Sequence, residues 1–130
     1  MFDRFSAYQP QLLSLLRIVT GFLFVCHGTA KVLGFPAMEG LPSPGLSMAG
    51  LSGPLELVLG ALFLIGLFTR PVAFLAAGFA AVGYWMVHAG QGALPIQNGG
   101  ETIALYCFVF LYFVAAGPGP WSVDAMMKRR

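Results

Sequence analysis

An uninterrupted apolar run in the middle of the chain constrains the fold more than any other feature. Residues 57–68 read LVLGALFLIGLF, so every face of a helix formed by them is apolar. Such a helix is stable only against lipid or against other membrane helices. Glu56 directly precedes the run. A carboxylate at that place is either a helix-end group or a functional group.

The low content of charged residues places the chain among integral membrane proteins. Apolar residues make up 58% of the 130 residues and charged residues only 9%, whereas roughly a quarter of the residues of a soluble protein are charged. The length allows one domain, residues 1–130, with four membrane crossings of about twenty residues each. The net charge of +2 is scattered along the chain, which excludes nucleic-acid binding.

Four apolar segments predict an all-α fold, an integral membrane four-helix bundle. The predicted spans cover residues 12–33, 53–68, 72–89 and 101–116, and glycines and prolines separate them. Because basic residues favour the cytoplasmic side, their positions predict that both termini are cytoplasmic. The basic residues on that side are Arg4, Arg70, Lys128, Arg129 and Arg130, whereas Lys31 is on the opposite side.

This topology brings five polar residues to the level of the outer membrane boundary. Lys31 and both histidines lie near the ends of the first and third spans, and two glutamates begin the second and fourth. By helix rise, all five lie within roughly 10 Å of that boundary. They predict one outward-facing pocket, with Lys31 as the substrate-binding residue. The candidate catalytic residues are Glu56, Glu101, His27 and His88.

A structural interpretation of the same residues stays open. Glu56 and Glu101 each follow a residue of capping type, Gly53 and Asn98, by three positions. Carboxylates in the first turn of a helix and basic groups in the last turn would complement the helix dipole. His27 fits this interpretation least, because it lies about two turns inside its span.

The residue types of the predicted pocket suit a quinone head group better than a metal ion. His and Glu exchange protons near physiological pH and can form hydrogen bonds with a quinone in an apolar pocket. The same residue types ligate metals, but the Glu-x-x-His spacing of di-iron bundles is missing. Cys26 and Cys107 are expected to be buried packing residues, because the chain has no Cys-x-x-Cys motif. The cofactor is therefore unknown, with a quinone favoured over a metal.

A second polar set lies at the inner end of the predicted bundle. Arg17 is slightly inside the first span, and Asp124 follows the fourth. In one interpretation the Arg17 side chain extends to the lipid headgroups. In the other, Arg17 and Asp124 form a structural ion pair that holds the C-terminal segment against the bundle. Both interpretations give the pair a structural role.

Several segments spread along the chain match one known family. They are LRIVTGFLF (16–24) with HGTAK (27–31), Glu56 with Gly60 and GLFTRP (66–71), His88, NGGE (98–101) and GPGPWSVD (117–124). On these segments the chain resembles the DoxX family of small bacterial membrane proteins. The resemblance implies a four-helix bundle in the inner membrane and an association with redox chemistry. Relatives include the membrane subunit of a thiosulfate:quinone oxidoreductase and a component of oxidative-stress complexes.

These observations together predict a membrane redox component whose outward pocket binds a quinone head group or a small anion. Thiosulfate as the anion is implied by the resemblance alone. The enzymatic form of the hypothesis is a quinone-linked oxidoreductase or a subunit of one, which requires a redox partner protein or direct quinone chemistry. The alternative is a non-enzymatic scaffold or a small-solute carrier. The expected partners are the lipid bilayer, a quinone, and a redox protein or further copies of the chain.

Overall fold

The computed structural model describes residues 1–130, and all of its regular elements are helical. The predicted all-α class is therefore confirmed. A π-helical turn (Tyr84–His88) and a short 3-10 turn (Ala89–Gln91) follow α3 directly. The elements in chain order are an N-terminal 3-10 helix (Phe2–Tyr8), α1 (Gln9–Leu33), α2 (Met48–Ile65), α3 (Thr69–Gly83), α4 (Pro95–Asn98), α5 (Glu101–Ala116) and α6 (Val123–Lys128).

Three helical segments are long and apolar enough to cross a membrane. They are Phe2–Leu33, Met48–Ile65 and Thr69–Gln91, and α5 is a shorter apolar helix of 16 residues. Only 28% to 33% of the most apolar 18 residues of each long segment is buried inside the protein. Most of the remaining surface is apolar and requires lipid around it. The fourth span and the cytoplasmic position of the termini stay predictions.

The helices form two compact units. The first unit contains residues 1–69 and 118–130, and the second contains residues 70–117. The first unit is therefore built from α1, α2 and the C-terminal segment, residues 118–130, which contains α6. The second unit is built from most of α3 together with α4 and α5.

In the first unit, α1 and α2 approach each other so closely that only glycine fits at the contact. A Cβ atom at Gly28 would lie 2.6 Å from a backbone nitrogen of α2, and one at Gly21 would lie 2.7 Å from backbone atoms of α2. Gly53 and Gly60 make the matching approaches from α2. In each helix the two glycines are seven residues apart and share one face. Small residues on a shared face allow the backbone contact by which helices pack in lipid.

A buried arginine fixes the C-terminal segment on the first unit. Arg17 is 1% exposed, and its guanidinium donates hydrogen bonds to the carbonyl oxygens of Pro118, Trp121 and Leu64. The backbone N–H of Trp121 donates to Ser14 Oγ at 3.1 Å. Because a buried cation is costly unless it is hydrogen-bonded, the carbonyl oxygens allow Arg17 to lie between apolar helices. The same bonds hold residues 118–121 in place.

Asp124 holds the next part of this segment. Its carboxylate accepts hydrogen bonds from the backbone N–H groups of Phe68 at 2.9 Å and Thr69 at 2.8 Å. These amides lie where α3 begins, and such amides lack partners within their own helix. Burial by itself would raise the pKa of Asp124, but the hydrogen bonds from Thr69 and Phe68 and the charge of Lys128 outweigh it. The pKa of Asp124 therefore lies below its ordinary value.

In the second unit, Arg70 joins the start of α3 to the end of α5. Its guanidinium donates to the carbonyl oxygens of Val114 at 2.7 Å and Ala115 at 2.5 Å. Carbonyl groups in the last turn of a helix lack helical partners, so the arginine satisfies them and complements the helix dipole. Since the beginning of α3 meets the end of α5, these two helices are antiparallel.

We expect Gly28→Ala to destabilise the protein, because the new Cβ atom would force α1 and α2 apart. Overpacking of this kind costs about 1–3 kcal/mol of unfolding free energy. Gly78 on α3 supplies the matched control, since a Cβ atom there would meet no atom within 4 Å. Gly78→Ala should leave the stability unchanged or raise it by up to about 1 kcal/mol. Unfolding by SDS in mixed micelles, followed by circular dichroism, measures both, and equal effects would contradict the close contact.

We expect Asp124→Asn to loosen the C-terminal segment, because an amide offers one acceptor oxygen where the carboxylate offers two. The loss of one hydrogen bond costs about 1 kcal/mol. Chymotrypsin should then cleave after Trp121 roughly fivefold faster at neutral pH, since cleavage follows the population of the open form. An unchanged cleavage rate would show that Asp124 does not hold the segment.

The stabilisation by Asp124 should also depend on pH. Because folding lowers the pKa of this carboxyl group, the unfolded chain binds its proton more readily than the folded protein does. The stability difference between the wild type and Asp124→Asn should have its full size at neutral pH. It should begin to shrink as the pH falls below about 4, the pKa of aspartate in an unfolded chain, and should be lost once the pH is below the lowered pKa of the folded protein. SDS unfolding at a series of pH values measures this difference, and a constant difference would contradict the assignment.

Candidate functional site

Glu56 is a buried carboxylate in the interior of α2. The helix begins at Met48, and its cap is Ser47, whose Oγ accepts a hydrogen bond from the N–H of Gly50 at 3.0 Å. Glu56 therefore lies about two turns inside the helix, and the interpretation of Glu56 as a helix-end group after Gly53 is wrong. Its residue exposure is 6%. The carboxylate thus needs a partner other than the helix terminus.

Lys31 of α1 provides that partner. Its Nζ lies 2.9 Å from Oε1 and 2.8 Å from Oε2 of Glu56, and it also donates to Ser52 Oγ at 3.2 Å. The hydrogen bond to the carboxylate is directed at Oε1. Oε2 is buried and, although close to the ammonium group, accepts no hydrogen bond of good geometry. The pair compensates both charges in apolar surroundings, and Oε2 is held by its attraction to the ammonium group without a well-aligned hydrogen bond.

His27 is the third group of this set. It lies one turn before Lys31 on α1 and is half-buried. It is close enough to Glu56 for their charges to interact. The structure therefore brings His27, Lys31 and Glu56 together in the first unit. Ser52 joins them although the sequence did not single it out; its position one turn before Glu56 on the same helix was the available signal.

His88 and Glu101 belong to the second unit. His88 ends the π-helical turn, and its Nδ1 lies 3.0 Å from the backbone oxygen of Asn98. Since a carbonyl oxygen only accepts, Nδ1 carries a proton in this contact. π-Helical turns occur frequently at functional sites. Glu101 is exposed at the first position of α5.

Asn98 is a buried polar residue that organises the loop after the π-helical turn. Its Nδ2 donates to Tyr84 Oη at 3.0 Å and to the carbonyl oxygen of Gly92 at 3.1 Å, and its Oδ1 accepts from the N–H of Gly100 at 2.9 Å. The cap position of α5 is Gly100, directly before Glu101. The expected capping arrangement of Asn98 and Glu101 is therefore wrong, because Asn98 lies two residues before the cap position and binds the loop instead.

The remaining candidates have separate surroundings. The hydrogen bonds of Arg17 go to backbone carbonyls and those of Asp124 come from backbone amides, while their charges attract each other at longer range. A direct ion pair between them stays a prediction. Cys26 and Cys107 are free thiols. No group of three or more His, Cys, Asp and Glu side chains has an arrangement that could hold a metal ion. The single pocket formed by Glu56, Glu101, His27 and His88 stays a prediction.

The fold and the buried ion pair define a multi-pass membrane protein with a polar site between two apolar helices. The profile of the DoxX family matches residues 12–89. This match covers more than half of the chain, so the chain belongs to the DoxX family.

Similar proteins from two bacteria extend this finding over nearly the whole chain. A Haemophilus influenzae protein, described as an uncharacterized protein, is 43% identical over 94% of this chain and 95% of its own length. The Escherichia coli inner membrane protein YphA is 30% identical over 92% of this chain and 93% of its own length. The E. coli inner membrane protein YqjF is 28% identical over 88% of this chain and 90% of its own length. No solved structure matches the chain significantly.

These relatives and the apolar helices also fix the location of the protein. Two of the similar proteins are named as inner membrane proteins, and three helices of this chain are suited to crossing a bilayer. The protein is therefore a multi-pass protein of the bacterial inner membrane. The predicted family and localisation are both confirmed.

We expect Lys31→Met to destabilise the protein by about 3 kcal/mol, because it leaves Glu56 buried without a countercharge. The double variant with Lys31→Met and Glu56→Gln should cost less than the sum of the two single variants, since it removes both charges. SDS unfolding of the four proteins in this cycle measures the coupling. Additive costs would show that the two side chains do not stabilise each other.

Proposed function

We propose that the protein is a redox-associated membrane protein in which His27, Lys31 and Glu56 bind the head group of a quinone. The observation that carries this proposal is the Oε2 atom of Glu56, a buried carboxylate oxygen that lies 2.8 Å from Lys31 Nζ but accepts no hydrogen bond of good geometry. Because a hydrogen bond to a charged acceptor contributes about 1.5–3 kcal/mol, an ion-paired oxygen without a well-aligned hydrogen bond lacks part of its stabilisation, which is a cost to the protein. A ligand that donates a hydrogen bond to Oε2 recovers that cost, and the hydroxyl group of a quinol is such a donor.

The charge of the set favours a neutral head group over a small anion. Lys31 and Glu56 together carry no net charge, so an anion that is attracted to the ammonium group is repelled by the neighbouring carboxylate. A neutral quinol avoids this conflict, because it donates to Oε2 and accepts from Lys31 or His27. A small anion such as thiosulfate fits the set only when His27 is also protonated.

In this proposal the three side chains have different tasks. Lys31 orients the head group by donating a hydrogen bond to one of its oxygens. Glu56 and His27 exchange the protons that accompany oxidation and reduction of the quinone. The electrons are exchanged with a partner redox protein, so the chain acts as one subunit of a quinone-linked oxidoreductase. His88 and Glu101 stay candidate catalytic residues on the sequence argument.

Binding of ubiquinol-1 to the purified protein in lipid nanodiscs tests the proposal. Anaerobic calorimetric titration, with empty nanodiscs as the baseline, should show saturable binding to the wild type. Glu56→Gln should weaken binding by roughly 10- to 100-fold, because a hydrogen bond to a charged acceptor contributes about 1.5–3 kcal/mol. Glu39→Gln, which makes the same change at an exposed loop residue, should leave the affinity unchanged.

Two other outcomes would contradict the proposal in different ways. Equal affinity of the wild type and Glu56→Gln for ubiquinol-1, or no binding above the baseline, would favour the scaffold or carrier alternative. Binding of thiosulfate that depends on Lys31 and excludes ubiquinol-1 would assign the site to a small anion instead.

A further inference from the structure

The end of the chain forms a basic and partly apolar surface that the proposed function does not use. Met126 and Met127 of α6 are 60% and 56% exposed. The exposed basic residues Lys128, Arg129 and Arg130 follow them directly. Exposed methionines beside consecutive cations are typical of a segment at a membrane surface, where the apolar side chains enter the lipid and the cations stay among the headgroups.

This segment has a fixed position on the first unit. The backbone of Trp121 is bound on both sides, by Ser14 Oγ at its N–H and by Arg17 at its carbonyl oxygen. The backbone N–H of Asp124 donates to the carbonyl oxygen of Gly66 at 2.9 Å. The indole ring of Trp121 remains exposed, as is common for tryptophan at the membrane interface. The first of the basic residues, Lys128, therefore lies at the end of the short helix α6, which follows the fixed residue Trp121.

The N-terminal 3-10 helix lies at the same end of the first unit. It contains no buried residue, and the rings of Phe2 and Phe5 are exposed with their centroids 6.1 Å apart. Arg4 lies between them in the sequence and is also exposed. This helix continues into α1, whose first turns contact the C-terminal segment through Ser14. The two ends of the chain thus contribute apolar and basic groups to one region.

We propose that this terminal surface, formed by residues 2–5 and 126–130, binds the headgroups of anionic phospholipids. Its cations are Arg4, Lys128, Arg129 and Arg130. Of the two nearby acidic side chains, Asp124 is occupied by backbone amides, which leaves the side chain of Asp3 exposed beside four cationic side chains. Arginine and lysine bind phosphate groups strongly, and basic residues beside a membrane helix favour anionic lipids over zwitterionic ones. The occupant is therefore a lipid of the bilayer.

Quenching of Trp121 fluorescence by brominated lipids tests this proposal without any assay of activity. The chain has two tryptophans, so Trp85→Phe leaves Trp121 as the sole reporter. The protein is placed in bilayers in which either phosphatidylglycerol or phosphatidylcholine carries the bromine atoms. The ratio of the two quenching efficiencies gives the local enrichment of the anionic lipid around Trp121.

We expect at least about threefold enrichment of phosphatidylglycerol at low salt. Replacing the three terminal basic residues (Lys128→Gln, Arg129→Gln and Arg130→Gln) should lower the ratio to about one. High salt should lower the ratio in the protein with the unchanged tail, because it screens the attraction between the cations and the headgroups. Trp121→Phe, with Trp85 as the reporter, should show no response to the same tail substitutions. A ratio of one in the unchanged tail, or enrichment that persists in the triple variant, would overturn the proposal.

Discussion

The glycine contact between α1 and α2 determines where the polar groups of the first unit lie. Gly53 allows the Cβ atom of Lys31 to come so close that a Cβ atom at position 53 would lie only 2.8 Å from it. At this separation the ammonium group reaches Glu56 and Ser52 on the facing helix. A larger residue at these contact positions would separate the helices and the two charges together. The packing of the helix pair and the chemistry of the candidate site therefore depend on the same residues.

The two ends of this helix pair hold buried charges in different ways. At one end Arg17 is almost completely enclosed and donates to carbonyl oxygens of the C-terminal segment and α2, which makes it a structural residue. At the other end the side chains of Lys31 and Glu56 keep 14% and 8% of their surface accessible, and Oε2 of Glu56 accepts no hydrogen bond. Each end also keeps one buried polar atom without a hydrogen bond of good geometry, Nε of Arg17 and Oε2 of Glu56, so the two ends differ in accessible surface and not in the number of satisfied groups. This difference is the physical reason to assign ligand binding to the Glu56 end.

The sequence predicted the features that depend on local composition. It did not predict the features that depend on hydrogen bonds between residues far apart in the chain. All-apolar segments showed the helical class and the membrane, and Gly34 ends α1 in a left-handed conformation, as expected of a glycine after a helix. The expected start of α2 at Gly53 was late, because Ser47 caps the helix and Pro54 is tolerated at an exposed position inside it. The role of Asn98 was missed, since its partners Tyr84 and Gly92 are brought to it only by the π-helical turn and the following loop.

We infer that Glu56 is kept in an apolar helix pair because it binds a ligand. Native mass spectrometry of the protein, released gently from its own membrane, can detect such a ligand. We expect a stoichiometric bound mass equal to a membrane quinone in the wild type and in Glu39→Gln, and its loss in Glu56→Gln. Phospholipid as the only bound mass in all three proteins would contradict it, and would leave the buried ion pair as a structural element of a membrane scaffold.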